Sequence, residues 1–94
     1  MALADITRTA VEQAIREYDR LGQDAFLERH GFGRSRQYLL VHDGRDYDSK
    51  AILGVAHGFL PGRAPLTPDE FSGGVNGKTV DHLQRLGFEI RSVG

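Results

Sequence analysis

Two constellations in this 94-residue sequence have the residue types that metal-dependent phosphodiester hydrolysis uses. His42, Asn76 and His82 stand in the order of a His-Asn-His (HNH) nuclease motif. Such a site is a compact hairpin-then-helix unit that gathers its ligands on one metal. Here the interval from 42 to 76 holds two predicted helices, so the spacing speaks for a strand-end histidine and two unrelated helix residues. Asp48-Ser49-Lys50 has the D-x-K form of many metal-dependent nucleases. Holding Mg²⁺ there requires a second carboxylate beside the first. Asp43 and Asp46 are the only nearby acids, Asp43 belongs to a turn, and Ser49-Lys50 reads as a helix start. A helix cap is therefore the expected role of Asp48.

Other catalytic signatures are weaker. Ser35, Ser49 and Ser72 lie near glycines or charges, but none stands in a nucleophile-elbow context. Gly77-Lys78-Thr79 reproduces the last three residues of a phosphate-binding loop. Gly74 is too close to Gly77 for the full spacing, and no dominant strand precedes it. The segment reads as the turn that opens a last helix, whose free amides and Lys78 can still receive one anion. His30, His42, His57 and His82 contain no i,i+4 pair, so no metal site is expected. With no cysteine, neither a disulfide framework nor a thiolate site exists.

Charge placement is more informative than these motifs. The formal net charge is −1, which argues against a polybasic nucleic-acid binder. Yet residues 31–63 carry five basic and three acidic residues, while both flanks are slightly acidic. The same stretch contains Tyr38, His42, Tyr47 and His57. Cations interleaved with aromatics on a hairpin suit a nucleic-acid face. Arg34 and Arg36, two apart, point the same way in an extended chain. The plainer alternative is a solvated face on which Arg45 and Lys50 pair with Asp43, Asp46 and Asp48. Lys50 at a helix start opposes the helix dipole, which makes a phosphate or a local carboxylate its natural partner.

The elements that would position these residues follow from periodicity. Val11, Ala14, Ile15, Tyr18 and Leu21 form one helical stripe, with Thr9–Glu12 as a possible capping box and Asp5 or Thr7 as earlier caps. Gly22 marks its end. A second helix is expected over about 24–30, closed by Gly31. Gln37 to His42 reads as a strand, Asp43-Gly44 as a hairpin turn and Arg45 to Tyr47 as the return. A third helix, capped by Asp48 or Ser49, should run from Lys50 to about Phe59, and Leu60 to Leu66 is a Pro/Gly loop. Thr67-Pro68-Asp69-Glu70 is a helix-start signal for a short helix, interrupted by Ser72-Gly73-Gly74. A last helix spans about 76–86, ended by Gly87, and 88–91 is a final strand. The expected fold is one α+β domain over 1–94: a small, mostly antiparallel sheet, hairpin about 37–47 plus the C-terminal strand, packed with four to five short helices. A composition of 39% hydrophobic residues suits a folded domain and no apolar run is long enough to span a membrane. Absence of cysteine suits a cytoplasmic setting.

The run Tyr38-Leu39-Leu40-Val41-His42-Asp43-Gly44-Arg45-Asp46-Tyr47-Asp48-Ser49-Lys50-Ala51-Ile52, the Ala56-His57-Gly58 helix end, Phe71-Ser72-Gly73-Gly74 and Leu83-x-x-Leu86-Gly87-Phe88 form a longer pattern. Together with Glu17-Tyr18-Asp19 and Gly31-Phe32-Gly33, it resembles the N-terminal head domain of ScoMcrA-like type IV restriction endonucleases, over about residues 5–92. The resemblance implies a non-catalytic, DNA-associated accessory module. In such proteins the head precedes phosphorothioate and 5-methylcytosine readers and a C-terminal HNH nuclease. Double-stranded DNA, modified or not, and the downstream nuclease or reader domains are thus the expected partners. The DNA-contacting residues expected are Arg34, Arg36, Tyr38, His42, Arg45, Tyr47 and Lys50, with Lys78 adding an anion contact. No catalytic residue, metal or cofactor is expected. The alternative is a protein-interaction or scaffolding domain that docks neighbouring modules or dimerises.

Overall fold

The computed structural model describes residues 6–35, 37–67 and 75–92, and of 75–78 the backbone alone. Thr7 opens helix α1 (Arg8–Leu21), its hydroxyl accepting from the Ala10 N–H at 3.1 Å. That bond satisfies one of the first-turn amides that no helical carbonyl can reach. The Thr9–Glu12 box is not the cap: Thr9 lies inside the helix, and Glu12 pairs with Arg8 at 3.5 Å. Val11, Ala14, Ile15 and Tyr18 are buried, as their spacing requires. Gly22 ends α1 and α2 (Gln23–His30) follows at once, closed by Gly31 in the left-handed conformation.

Strands β1 (Tyr38–His42) and β2 (Arg45–Asp48) form the expected hairpin. Its two turn residues, Asp43 at φ 52° and Gly44 at φ 75°, both adopt the positive φ that a type I′ turn needs. Strand β3 (Glu89–Ser92) lies against the other side of β1, giving the order β2-β1-β3 with both pairings antiparallel. Leu40 stands opposite Tyr47 on one side and Ile90 on the other, so these three share the face turned to the helices. The other face carries half-buried Leu39 and Val41, crossed by an Arg91–Asp46 ion pair that joins the two edge strands.

Helix α3 (Ser49–His57) is buried around almost its whole circumference: Ser49 and every residue from Ala51 to His57. A helix apolar on all sides belongs at the centre of a structure. It packs against α1, α2, α4 (Val75–Arg85), β1 and β2. Phe26, Leu40, Ile52, Leu53, Val55 and Leu83 are fully buried in the one core these elements share. Among the described residues there are four helices and three strands. The short helix expected from Thr67-Pro68-Asp69-Glu70, and the Ser72-Gly73-Gly74 break, lie outside the described residues.

The segment after α3 folds back on it. Leu66 N–H donates to the Gly54 carbonyl at 2.9 Å, and His57 Nδ1–H donates to the Ala64 carbonyl at 2.7 Å. Gly58 lets Pro65 close over the helix end. A Cβ at Gly58 would lie 2.6 Å from Pro65 Cγ and 2.8 Å from its backbone nitrogen.

Asp48, the last residue of β2, is 1% exposed. It holds the N-cap position of α3, but its side chain does not cap that helix, contrary to the sequence expectation. Its carboxylate instead accepts from three other places: Tyr18 Oη at 2.7 Å on α1, Gln23 Nε2 at 3.1 Å on α2 and Ser35 N–H at 2.7 Å in the α2–β1 segment. A buried carboxylate is tolerable only when its lone pairs are satisfied in this way. A parallel contact lies beside it. Tyr47, 2% exposed, donates to Asp19 at 2.6 Å, and its ring meets the edge of Tyr18 with centroids 4.8 Å apart.

Both phenols are held protonated. Burial, then the hydrogen bond to Asp19, pushes Tyr47 up to about 12, and burial with the Asp48 bond pushes Tyr18 further in the same direction. Free tyrosine ionises near about 10. The stability these phenols contribute is therefore complete below about pH 10 and declines above it, because the unfolded chain loses protons the folded chain keeps.

Three outcomes follow from this arrangement. Asp48→Ala leaves buried donors unmatched and should cost about 3–5 kcal/mol, a large part of the stability of a domain this size, read as a lower urea midpoint at unchanged slope. Between about pH 10 and 12 the urea midpoint of the parent should fall more steeply than that of Tyr47→Phe, which has one fewer group to titrate. Gly58→Ala should cost about 1–3 kcal/mol, lowering the thermal midpoint, because the new Cβ would run into the Pro65 ring and backbone.

Candidate functional site

The residues expected at a binding face are distributed over two separate clefts. The first lies between the α2–β1 segment, the start of α3 and the first half of α4. It has a volume of about 460 Å³, and Phe32, Arg34, Tyr38, Ser49, Lys50 and Thr79 are among its lining residues. The second, about 380 Å³, lies between α1 and the hairpin and is lined by His42, Arg45 and Tyr47 together with Glu12, Arg16, Asp19 and Asp43.

Their electrostatics differ in kind. In the second cleft three carboxylates oppose two arginines. Arg45 lies 3.6 Å from Asp19, and His42 Nε2 lies 3.6 Å from Asp43. Tyr47 is consumed by the core and by Asp19, so its ring is not a surface. With carboxylates outnumbering arginines, this cleft has little to attract a phosphate.

No carboxylate lines the first cleft among the described residues. Lys50, half-buried in the first turn of α3, has no ion-pair partner among the described residues. The dipole argument had left a phosphate and a local carboxylate equally suited to it, and Asp48 is turned away to Tyr18, Gln23 and Ser35. Arg34 reaches out to Asp24 at 2.8 Å, and this contact strengthens its hold on its proton. Both side chains of that pair are largely exposed, so solvent screens the pair and an incoming anion can compete for the guanidinium. Tyr38, at the head of β1, is 39% exposed, one of two large hydrophobic side chains so open among the described residues. Its backbone carbonyl accepts from Ser49 Oγ at 2.9 Å, which ties the strand start to the helix start and fixes the angle of the cleft.

The wall formed by residues 32–35 is held just as firmly, through the Ser35 N–H on Asp48 and the Phe32 N–H on the Leu27 carbonyl at 3.0 Å. Arg36 lies outside the described residues, as does the side chain of Lys78. The backbone of Lys78 is in α4, one residue before Thr79 of the cleft. Phe32, Ser35, Gln37 and Thr79 were not among the DNA contacts expected from sequence; their common signal is adjacency to Arg34, Tyr38 and Lys78.

The D-x-K motif does not assemble a metal centre, because Asp48 is buried and spends its oxygens on three donors. Among the described residues no three His, Asp or Glu side chains converge. Three of the four histidines bond within the fold. His30 bonds Glu17 at 2.6 Å across α1 and α2, His57 bonds Ala64, and His82 bonds the Ile6 carbonyl at 3.3 Å.

Comparison with known proteins fits this geometry to a family. No curated protein matches the chain. A solved structure described as that of the type IV phosphorothioation-dependent restriction endonuclease ScoMcrA matches with a TM-score of 0.67 and 39% sequence identity. The match covers 96% of this chain and 13% of that one, so this chain spans about an eighth of the relative's length. The family model for the ScoMcrA-like N-terminal head domain matches residues 4–92. The chain belongs to the ScoMcrA-like N-terminal head domain family.

Proposed function

We propose that this head domain is a non-catalytic accessory module of a type IV, phosphorothioation-dependent restriction system, and that it meets the DNA backbone through the cleft at the start of α3. The observation that carries the reading is the pairing of Lys50 and Arg34 on a cleft whose described lining has no carboxylate. Two cations on a rigid frame suit adjacent phosphates, which position a protein on DNA without reading sequence. The relative's description, a phosphorothioation-dependent restriction endonuclease, supplies DNA as the polymer. Arg36 and Lys78, adjacent in sequence to the cleft, would extend the same basic border. His42 and Arg45 belong to the paired second cleft and have at most a peripheral part. Asp48 is committed to the fold, and cutting in such a system is assigned to modules other than this one.

Such contacts are electrostatic and few, so affinity should be modest and steeply salt-dependent. A fluorescence titration of the chain against a short DNA duplex, repeated over a range of salt, should give a log–log slope of about −2 to −4. Lys50→Ala and Arg34→Ala should each flatten that slope by about one, whereas Arg45→Ala should leave it unchanged. A parent chain with no measurable affinity at low salt, or variants with the parent's slope, would remove the reading. A salt-insensitive dimer without DNA binding would favour the protein-docking alternative.

A further inference from the structure

Tyr38 sets the first cleft apart from a simple phosphate ledge. The other two tyrosines are buried, each donating to a carboxylate. Tyr38 alone of the three keeps an open ring, 39% exposed, and its hydroxyl has no partner among the described residues. The ring lines the same cleft as Lys50 and Arg34. Gln37, exposed on the same cleft, likewise has no side-chain partner among the described residues, so an amide donor and acceptor stand next to the ring. At about 460 Å³ the cleft falls within the size range of small-ligand sites, enough to enclose a nucleotide unit and more than a phosphate contact requires.

An exposed aromatic beside cations has a specific use. Bases in an intact duplex present their faces to their neighbours, so the ring has nothing to stack on there. A base outside the stack offers its whole face, and aromatic platforms in cationic grooves bind such strands with little regard to sequence. We propose that this cleft receives one unpaired nucleotide of a DNA strand, its phosphate between Lys50 and Arg34 and its base on the Tyr38 ring. The inference rests on the reading that the cleft meets phosphates, and adds the strand state it prefers. The frame suits the task, because Ser35 N–H on Asp48 and Ser49 Oγ on the Tyr38 carbonyl hold both walls in place before any ligand arrives.

The test is a titration of the 94-residue chain with a labelled 12-nucleotide single strand, with the blunt duplex of the same sequence, and with that duplex carrying one extruded 2-aminopurine. The single strand and the extruded base should bind about tenfold or more tighter than the blunt duplex, with 2-aminopurine fluorescence quenched on binding. Tyr38→Ala should remove that preference and the quenching while leaving blunt-duplex affinity within about twofold. Tyr38→Phe, which keeps the ring, should restore both. Equal affinity for all three probes, or a Tyr38→Ala chain that binds the single strand like the parent, overturns the proposal. If Lys50→Ala still weakens the duplex in that case, the phosphate reading survives without it. If no probe binds the parent, both fall together.

Discussion

One buried carboxylate organises this domain. Asp48 receives donors from α1, from α2 and from the segment that leads into β1, while its own backbone turns β2 into α3. Five parts of the chain thus meet at one residue, three of them at its two oxygens. Apolar burial alone would let α1 and α2 slide against the hairpin, because it is non-directional. The three hydrogen bonds are directional and fix the register. The surrounding aromatic contacts, Tyr18 against Phe26 at 4.9 Å and against Tyr47 at 4.8 Å, shield them from water.

The same constraint shapes the cleft. A carboxylate at the N-cap of a helix ordinarily turns to the helix amides, and there it would have placed a negative charge close to Lys50. By pointing to Tyr18, Gln23 and Ser35, Asp48 leaves the start of α3 positive and also pins the opposite wall. The fold and the binding surface are therefore two effects of one side-chain orientation. The contrast with the second cleft is instructive. His42, Arg45 and Tyr47 come from the same hairpin, yet Asp19, Asp43 and Glu12 surround them, so a basic segment in sequence meets an excess of carboxylates in space.

Much of this was legible from the chain and part was not, for physical reasons. The α1 stripe, the Asp43-Gly44 turn and the glycine ends of α1 and α2 are local signals, and they lie where the sequence put them. The family pattern was legible as well, since its pieces hold fixed spacings. Thr7 was one of several cap candidates in the sequence, and the Ala10 N–H bond to its hydroxyl is what selects it. Asp48 read as a cap because Tyr18, Gln23 and Ser35 are distant in sequence and only the tertiary fold brings them together. Tyr38 and Tyr47 looked equivalent as signature tyrosines. Strand register separates them, setting Tyr47 opposite Leu40 in the interior and Tyr38 opposite Ser92 at the sheet's open end.

The strand order has a consequence for how the chain reaches this state. β1 is the central strand, but its second neighbour is β3, the last described stretch of the molecule. Arg8 closes the same gap from the other end, donating to the Leu86 carbonyl at 2.8 Å and lying over the Phe88 ring at 4.5 Å. A nascent chain can close its hairpin early, yet Leu40 stays uncovered on one flank until residue 90 has been made. Loop-closure entropy is paid across almost the entire length before these contacts repay it. Folding should therefore be late and all-or-none, with no stable N-terminal half, so that a ribosome stalled before β3 would hold an open sheet edge.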